Sequence, residues 1–499
     1  MKKTILAIAG IGCAVLAAQT FTLPTRGAEG QARTDDSYLK WRLLPAEQKY
    51  VAIDGARLRS FVDDQTAMSR RYRDKGHQFW GRISGTEGDT ENATWLADKF
   101  RKAGLADVHE QPFDLPPQWL PQSWSVAASA GGKSLTLQSA QPAHSTAATP
   151  PAGLDLEAVD LGFGSESDLA GRDVKGKAVF FYSTDVMGRQ ANVSGGAIKR
   201  IADAGAAAIF ITLMIPGNLK AQFYPVESKV PTFALGLEDG LAMRDMIGRA
   251  RGKETPRVNV KLDVAMVPNL KTRTVWGTLP GTTDENIIIV AHRDGWFEGA
   301  NDNASGVATL VGLAEYYAKI PRAERRRNII FLGTSGHHDN VAMSGHWLAA
   351  PEQKAMWAKT ALLINAEHTA EGTLDIMRDG SGKSPYGVIG RANTGAAKRW
   401  YVGGSPKLRQ IAVGSFDQLG VATYTEPDAA AGGEIGLYYR NAPALQVIGG
   451  RYYWHTDRES SDVVPATALA SITRAYAKII DDVNRVDLKD LQPASASAR

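Results

Sequence analysis

The sequence predicts an α/β fold built on a mixed, mostly parallel sheet flanked by helices, and three observations predict it. Four apolar runs, Ile287-Ile288-Ile289-Val290-Ala291, Asn328-Ile329-Ile330-Phe331-Leu332, Ala361-Leu362-Leu363-Ile364-Asn365 and Ala444-Leu445-Gln446-Val447-Ile448, have the continuous hydrophobicity of strands buried on both faces. Each run breaks off into polar residues or glycine. Beyond the first, Ser305-Gly306 opens a helical pattern with apolar residues at Val307, Leu310, Val311, Ala314 and Tyr317, spaced for one buried face. In open α/β sheets ligands gather at the carboxyl ends of the strands, and the polar residues stand there.

Those strand ends carry metal-binding side chains. His292-Arg293-Asp294 ends the first, with Asp302 in the loop beyond. The second runs into Gly336-His337-His338-Asp339 and the third into Ala366-Glu367-His368. The fourth stops at Gly449-Gly450 and is followed by Tyr453-Trp454-His455-Thr456-Asp457. A lone His-x-Asp is more often a surface pair than a ligand. Here six of the nine histidines lie between His292 and His455, and four strand ends in succession end in this way.

The order His-x-Asp, then Gly299-Ala300-Asn301-Asp302-Asn303-Ala304-Ser305-Gly306, then a pair after a strand, then Asn365-x-Glu367, then His455-Thr456 resembles the zinc aminopeptidases and glutamate carboxypeptidases of metallopeptidase family 28. The resemblance covers most of the chain after its first segment. It implies the zinc-dependent exopeptidase fold and two Zn²⁺ ions, about 3.5–4 Å apart, clamping the oxygens of a scissile peptide. By motif position Asp302 bridges. His292 and Glu367 complete one metal, and His455 with a residue of the His337-His338-Asp339 segment completes the other. Asp294 accepts a hydrogen bond from the second ring nitrogen of His292 and fixes its tautomer.

The chain departs from the family at one place. The family has Glu-Glu after the second strand, a general base followed by a ligand. Here His337 stands at the base position and His338 at the ligand position. A neutral His can act as a base. The five ligands His292, Asp302, His338, Glu367 and His455 then carry about −2 rather than about −3, so the second ion is held less tightly. A one-residue shift makes His338 the base and Asp339 the ligand. A site with one metal or none is a third outcome. His368 and His346 are expected as supporting or surface groups. Before the late His the family sometimes has a Tyr that stabilises the tetrahedral intermediate; Trp454 is there, with Tyr452 and Tyr453 as substitutes.

From the start of the chain, Met1-Lys2-Lys3 and the apolar run Ile5 to Ala18 read as a secretory signal peptide within residues 1–28, too short for a membrane anchor. The one cysteine, Cys13, falls inside it, so the mature chain has no disulfide. Removing Lys2, Lys3 and Arg26 takes the formal charge from +4 to about +1, leaving no basic excess for nucleic acid. Residues 29–118 are the first part of the peptidase unit, with a charged helix near Gly55 to Lys75 and a second through Ala93, Leu96, Ala97 and Phe100 to Gly104. Val108 to Leu115 reads as a strand. Composition shifts at Pro116-Pro117. The series Asp173-Val174-Lys175-Gly176-Lys177, a helix, Gly205-Ala206-Ala207, a strand and Val230-Pro231-Thr232 resembles the β-rich protease-associated domain inserted in many peptidases of this family, here over 119–270. It walls the cleft or binds substrate, or is a passive insert. Residues 271–488 are the catalytic unit and 489–499 a disordered tail.

The expectation is a bacterial, periplasmic or secreted di-zinc exopeptidase acting on peptides, foremost an aminopeptidase. The alternatives are a glutamate carboxypeptidase-like enzyme, with Arg293, Arg440 and Arg451 as candidates for the substrate carboxylate, a glutaminyl cyclase-like enzyme, and a non-catalytic binding protein that kept the fold. The oligomeric state is not legible.

Overall fold

In the computed structural model, the residues described are 42–183, 196–226, 228–338, 348, 350, 353–372, 374–376, 388–390, 398–436, 438–449 and 453–492. The expected signal peptide with Cys13, the alternative ligand Asp339, His346, Arg451, Tyr452 and most of the expected tail lie outside them. Two sheets organise the rest. The first has seven strands in the order Arg399–Gly403, Ala444–Ile448, Thr360–Ala366, Asn286–His292, Asn328–Thr334, Lys271–Leu279 and Ala106–Asp114. The four strands anticipated from the apolar runs are mutually parallel and lie side by side. The flanking strands are antiparallel.

Period-two alternation sends the side chains of each central strand to two cores. Ile287, Ile289 and Ala291 pack on the helical side, while Ile288 and Val290 join Ile330, Leu332, Leu363, Ile435 and Ala444 on the other. Helices Gly55–Asp74, Glu87–Ala103, Gly306–Ala318 and Ala466–Val483 contribute to the first of these cores. Asp54 caps the first helix by accepting from the Arg57 N–H, and Gly104 ends the second in the left-handed conformation. Gly306–Ala318 is buried over most of its circumference rather than on one stripe, because it runs directly behind the strand that ends at His292. Gly306 is what lets it start there: a Cβ would lie 2.0 Å from the Ala366 carbonyl oxygen.

The second sheet is drawn wholly from residues 118–267. Its order is Lys133–Thr136, Gln118–Ala130, Arg257–Val267, Leu154–Asp160, Ala178–Ser183, Ala208–Leu213, Thr232–Leu235 and Gln141–Pro142. Four of these strands, from Leu154–Asp160 to Thr232–Leu235, are also parallel. Phe180, Phe210 and Phe233 stack in register across three of them, with ring centroids 4.5 and 5.5 Å apart. Residues 36–499 form one compact unit. Among the described residues no helix is long and apolar enough to cross a membrane.

Candidate metal centre

The parallel strands deliver their polar ends to one point, the carboxylate of Asp302. His292 is the last residue of its strand. His337 and His338 follow the strand ending at Thr334, Glu367 and His368 follow the strand ending at Ala366, and His455 lies beyond the strand ending at Ile448. Asp302 sits in an irregular helical turn, Ala300–Ser305, with extended torsions of its own.

Each Asp302 oxygen faces two imidazoles. Oδ1 lies 3.1 Å from His292 Nε2 and 3.1 Å from His368 Nε2. Oδ2 lies 3.2 Å from His338 Nε2 and 2.9 Å from His455 Nε2, and also accepts from the Trp454 Nε1–H. Asp302 and these four histidines are all buried. Oδ1 and His368 Nε2 lie close without the alignment of a hydrogen bond, so both buried atoms are placed where a metal ion could engage them. The donor atoms fall into tight groups: His292, Asp302 and His368; Asp302, His338 and His455; His292, Asp294 and His338; and His292, His337 and Glu367. A buried carboxylate with two imidazole nitrogens at each oxygen is a donor set that suits zinc once those rings give up their protons.

The sequence-expected residues therefore converge, with three differences in detail. First, the second nitrogen of His292, Nδ1, is 3.1 Å from the Asp294 backbone carbonyl and 3.6 Å from its carboxylate. The Asp294 carboxylate instead accepts from the His338 backbone N–H at 3.0 Å and contacts His338 Nδ1 at 3.2 Å. Second, His368, expected as a supporting or surface group, is buried against Asp302. A left-handed φ of 46° turns it there, and His455 is likewise left-handed at 60°; non-glycine residues adopt this region rarely, and often at functional sites. Third, Glu367 stands farther out. Its Oε1 is 3.9 Å from His337 Nε2 and from His368 Nε2, while Oε2 accepts from Asn365 at 2.7 Å and Gln446 at 2.9 Å. Gly433 closes over it: a Cβ there would lie 1.9 Å from Oε2, and its φ is +59°.

Burial works against every charge here, and the neighbours decide the outcome. For Asp302, burial is outweighed by His368, His338 and His292, which hold the carboxyl well below its ordinary range. Asp294 is likewise held well below, burial being outweighed by His292 and His338. Against burial, Asp302 pushes His338 and His368 up to about 9. Burial wins at His455, which is pushed down to about 3 despite its bond to Asp302. Metal binding at such a centre displaces protons from its imidazoles.

Several supporting residues had no sequence signal. Glu459 Oε1 accepts the N–H groups of Asn301 at 2.9 Å and Asp302 at 2.5 Å, and Oε2 accepts the His455 N–H at 3.0 Å. One carboxylate thus ties two ligand loops together. Burial and the Asp302 charge hold its carboxyl well above the usual range. Arg82, fully buried, donates to the carbonyls of Arg293, Glu298 and Gly299 and braces the loop before Asp302; burial pushes its guanidinium down to about 10. Tyr224, from the second sheet's segment, reaches His337. Arg293 is engaged with Asp89, Thr272 and the Arg273 carbonyl, and Arg440 is exposed beside Tyr439. Neither contributes a cation to this cluster.

Residues 274–480 match the description of Peptidase family M28. The chain is 24% identical over 280 residues to aminopeptidase YwaD of Bacillus subtilis, a match covering 52% of this chain and 54% of that protein. The chain thus spans about half the length of this curated relative. Its fold is similar to a zinc aminopeptidase of Bacillus subtilis, with TM-score 0.61, 16% identity, and coverage of 88% of this chain and 98% of the other. It is also similar to a peptidase M28 precursor of Shewanella amazonensis, with TM-score 0.66, 18% identity, and coverage of 90% and 98%.

Proposed function

We propose that this chain, whose residues 274–480 match Peptidase family M28, is a secreted zinc exopeptidase, an aminopeptidase that removes N-terminal residues from peptides. The observation that carries the reading is the Asp302 carboxylate with two buried imidazoles at each oxygen. That set fits two zinc ions. His292, His368 and Asp302 Oδ1 would hold one, and His338, His455 and Asp302 Oδ2 the other. Zinc, when bound, polarises a peptide carbonyl and makes hydroxide available near neutral pH.

The chain's own residues do the rest. Asp294 orients His292 and His338 from behind, through its carbonyl and its carboxylate. His337 stands at the rim with 17% of its side chain exposed, within reach of Glu367, and is the candidate to take a proton from water and return it to the leaving amine. Glu367 is anchored on one oxygen by two amides and turns the other toward His337 and His368, where it would order those rings or add a carboxylate to the zinc held on the Oδ1 side. With His368 in its place as ligand, the five donors carry about −1. Residues 118–267 serve as the protease-associated insert. The basic, apolar N-terminus supports export to the periplasm.

The test is the zinc content of the purified chain together with hydrolysis of aminoacyl-anilides before and after chelation. About two zinc ions per chain, chelator-sensitive turnover and no cleavage of N-acetylated substrates are expected. Peptide binding without turnover, whatever the metal content, would replace the enzyme with a binding protein in which His337-His338 stands for the usual Glu-Glu.

A further inference from the structure

The segment between strands Ala208–Leu213 and Thr232–Leu235 leaves the second sheet and reaches the metal centre. It is fastened there by backbone. Ala221 forms an antiparallel bridge with Thr456, the Gln222 N–H donates to the His455 carbonyl at 2.8 Å, and the Asp457 N–H donates to the Lys220 carbonyl at 3.0 Å. The Lys220 N–H donates to Asp457 Oδ1 at 3.0 Å as well. The loop that carries His455 is thus partnered, residue for residue, by residues of the insert.

Two residues on, Tyr224 enters the cluster. Its ring centroid is 5.0 Å from His455, 5.5 Å from Trp296, 6.1 Å from His338 and 6.4 Å from Trp454. These rings hold the phenol in one place. Its hydroxyl forms a 3.1 Å hydrogen bond with His337 Nε2. The ring of His337 also stacks on His292, with centroids 4.3 Å apart and planes 23° apart. His337 follows a glycine with φ +90°, in a turn that begins after its strand has ended. The Tyr224 hydroxyl and the face of His292 therefore fix its ring between them.

We propose that Tyr224 is a positioning residue of the catalytic centre, supplied by the insert: its hydroxyl holds the His337 imidazole in the orientation that hydrolysis requires. The inference rests on the peptidase reading above. It gives the insert a part in catalysis beyond walling the cleft. A positioned proton-transfer group contributes on the order of 10²–10⁴ in rate, and losing one bond that orients it forfeits part of that.

Tyr224→Phe keeps the packed ring and removes only the hydroxyl. In the full-length zinc-loaded protein, kcat should fall roughly ten- to a hundredfold, with KM within about twofold and with zinc content and melting temperature unchanged. In the His337→Gln background the same substitution should add no further loss, since the two groups act as one unit. Wild-type kcat in Tyr224→Phe, or losses that multiply independently in the double variant, would overturn the inference while leaving the peptidase reading intact. A wild-type protein without peptidase activity would overturn both.

Discussion

The two sheets of this chain share a plan and differ in what stands at their ends. Each has four adjacent parallel strands with antiparallel flanks. In the first, the strands run out into His292, His337-His338, Glu367-His368 and, after a longer turn, His455. In the second, three of the four run on into Leu161-Gly162, Met214-Ile215 and Gly236-Leu237. Among the described residues every candidate metal group belongs to the first set. Parallel strands alone therefore confer a place where ligands can gather, and the residue types at the strand ends decide whether they do. The second sheet contributes differently, by sending one connection across to the centre of the first.

The contrast breaks most completely at Asp302. Asp302→Ala removes the group facing all four imidazoles, so the two zinc ions proposed for this site should both be lost. Turnover should fall by more than about a thousandfold, since metal charge stabilisation supplies several kcal/mol of the barrier. Metal analysis and hydrolysis read both, and full activity would sink the assignment. The companion pair His368→Ala and Glu367→Gln separates the two claimants for the Oδ1 side. The variant that loses half of the bound zinc identifies the ligand, and the geometry favours His368. If only Glu367→Gln loses zinc, the motif position outranks the geometry.

Glu459→Gln is a smaller change at the same centre. The amide keeps one acceptor oxygen, but its NH₂ cannot accept the third backbone N–H. The loops bearing Asp302 and His455 should loosen, and zinc affinity should fall about 10- to 100-fold, the usual loss for a residue supporting metal ligands. Competition with a chromophoric chelator measures it. An affinity equal to wild type would mean that the loops hold themselves.

How much of this was legible follows from the range of each interaction. The parallel strands were, because burial on both faces demands uninterrupted apolar runs, and the polar residues after them mark where burial ends. His292, Asp302, His338 and His455 were legible by motif order, and the structure brings them together. His368 was not. It follows Glu367 directly, and strand alternation would send the two side chains to opposite faces. A left-handed backbone brings both toward the same cluster, and nothing in the residue types announces that turn. Tyr224 lies 113 positions before His337, and Glu459 reaches Asp302 across 157. Such pairings depend on how one segment docks on another, which neither periodicity nor spacing records.

The smallest expected effect lies in the second sheet, and it sharpens the comparison from the other side. Phe210 is fully buried between Phe180 and Phe233. Phe210→Leu removes the aromatic stack and leaves a gap that Leu fills in part. The cost should be about 1–3 kcal/mol of stability, visible as a lowered melting temperature. Below that transition, zinc content should match wild type and kcat should stay within about twofold. The Phe ladder sets how firmly the insert is folded, while the Ala221–Thr456 bridge and its neighbouring hydrogen bonds set where Tyr224 sits. If kcat falls in the folded protein, the stack transmits its packing to Tyr224, and the two sheets are coupled through the 219–224 connection more tightly than their separate cores imply.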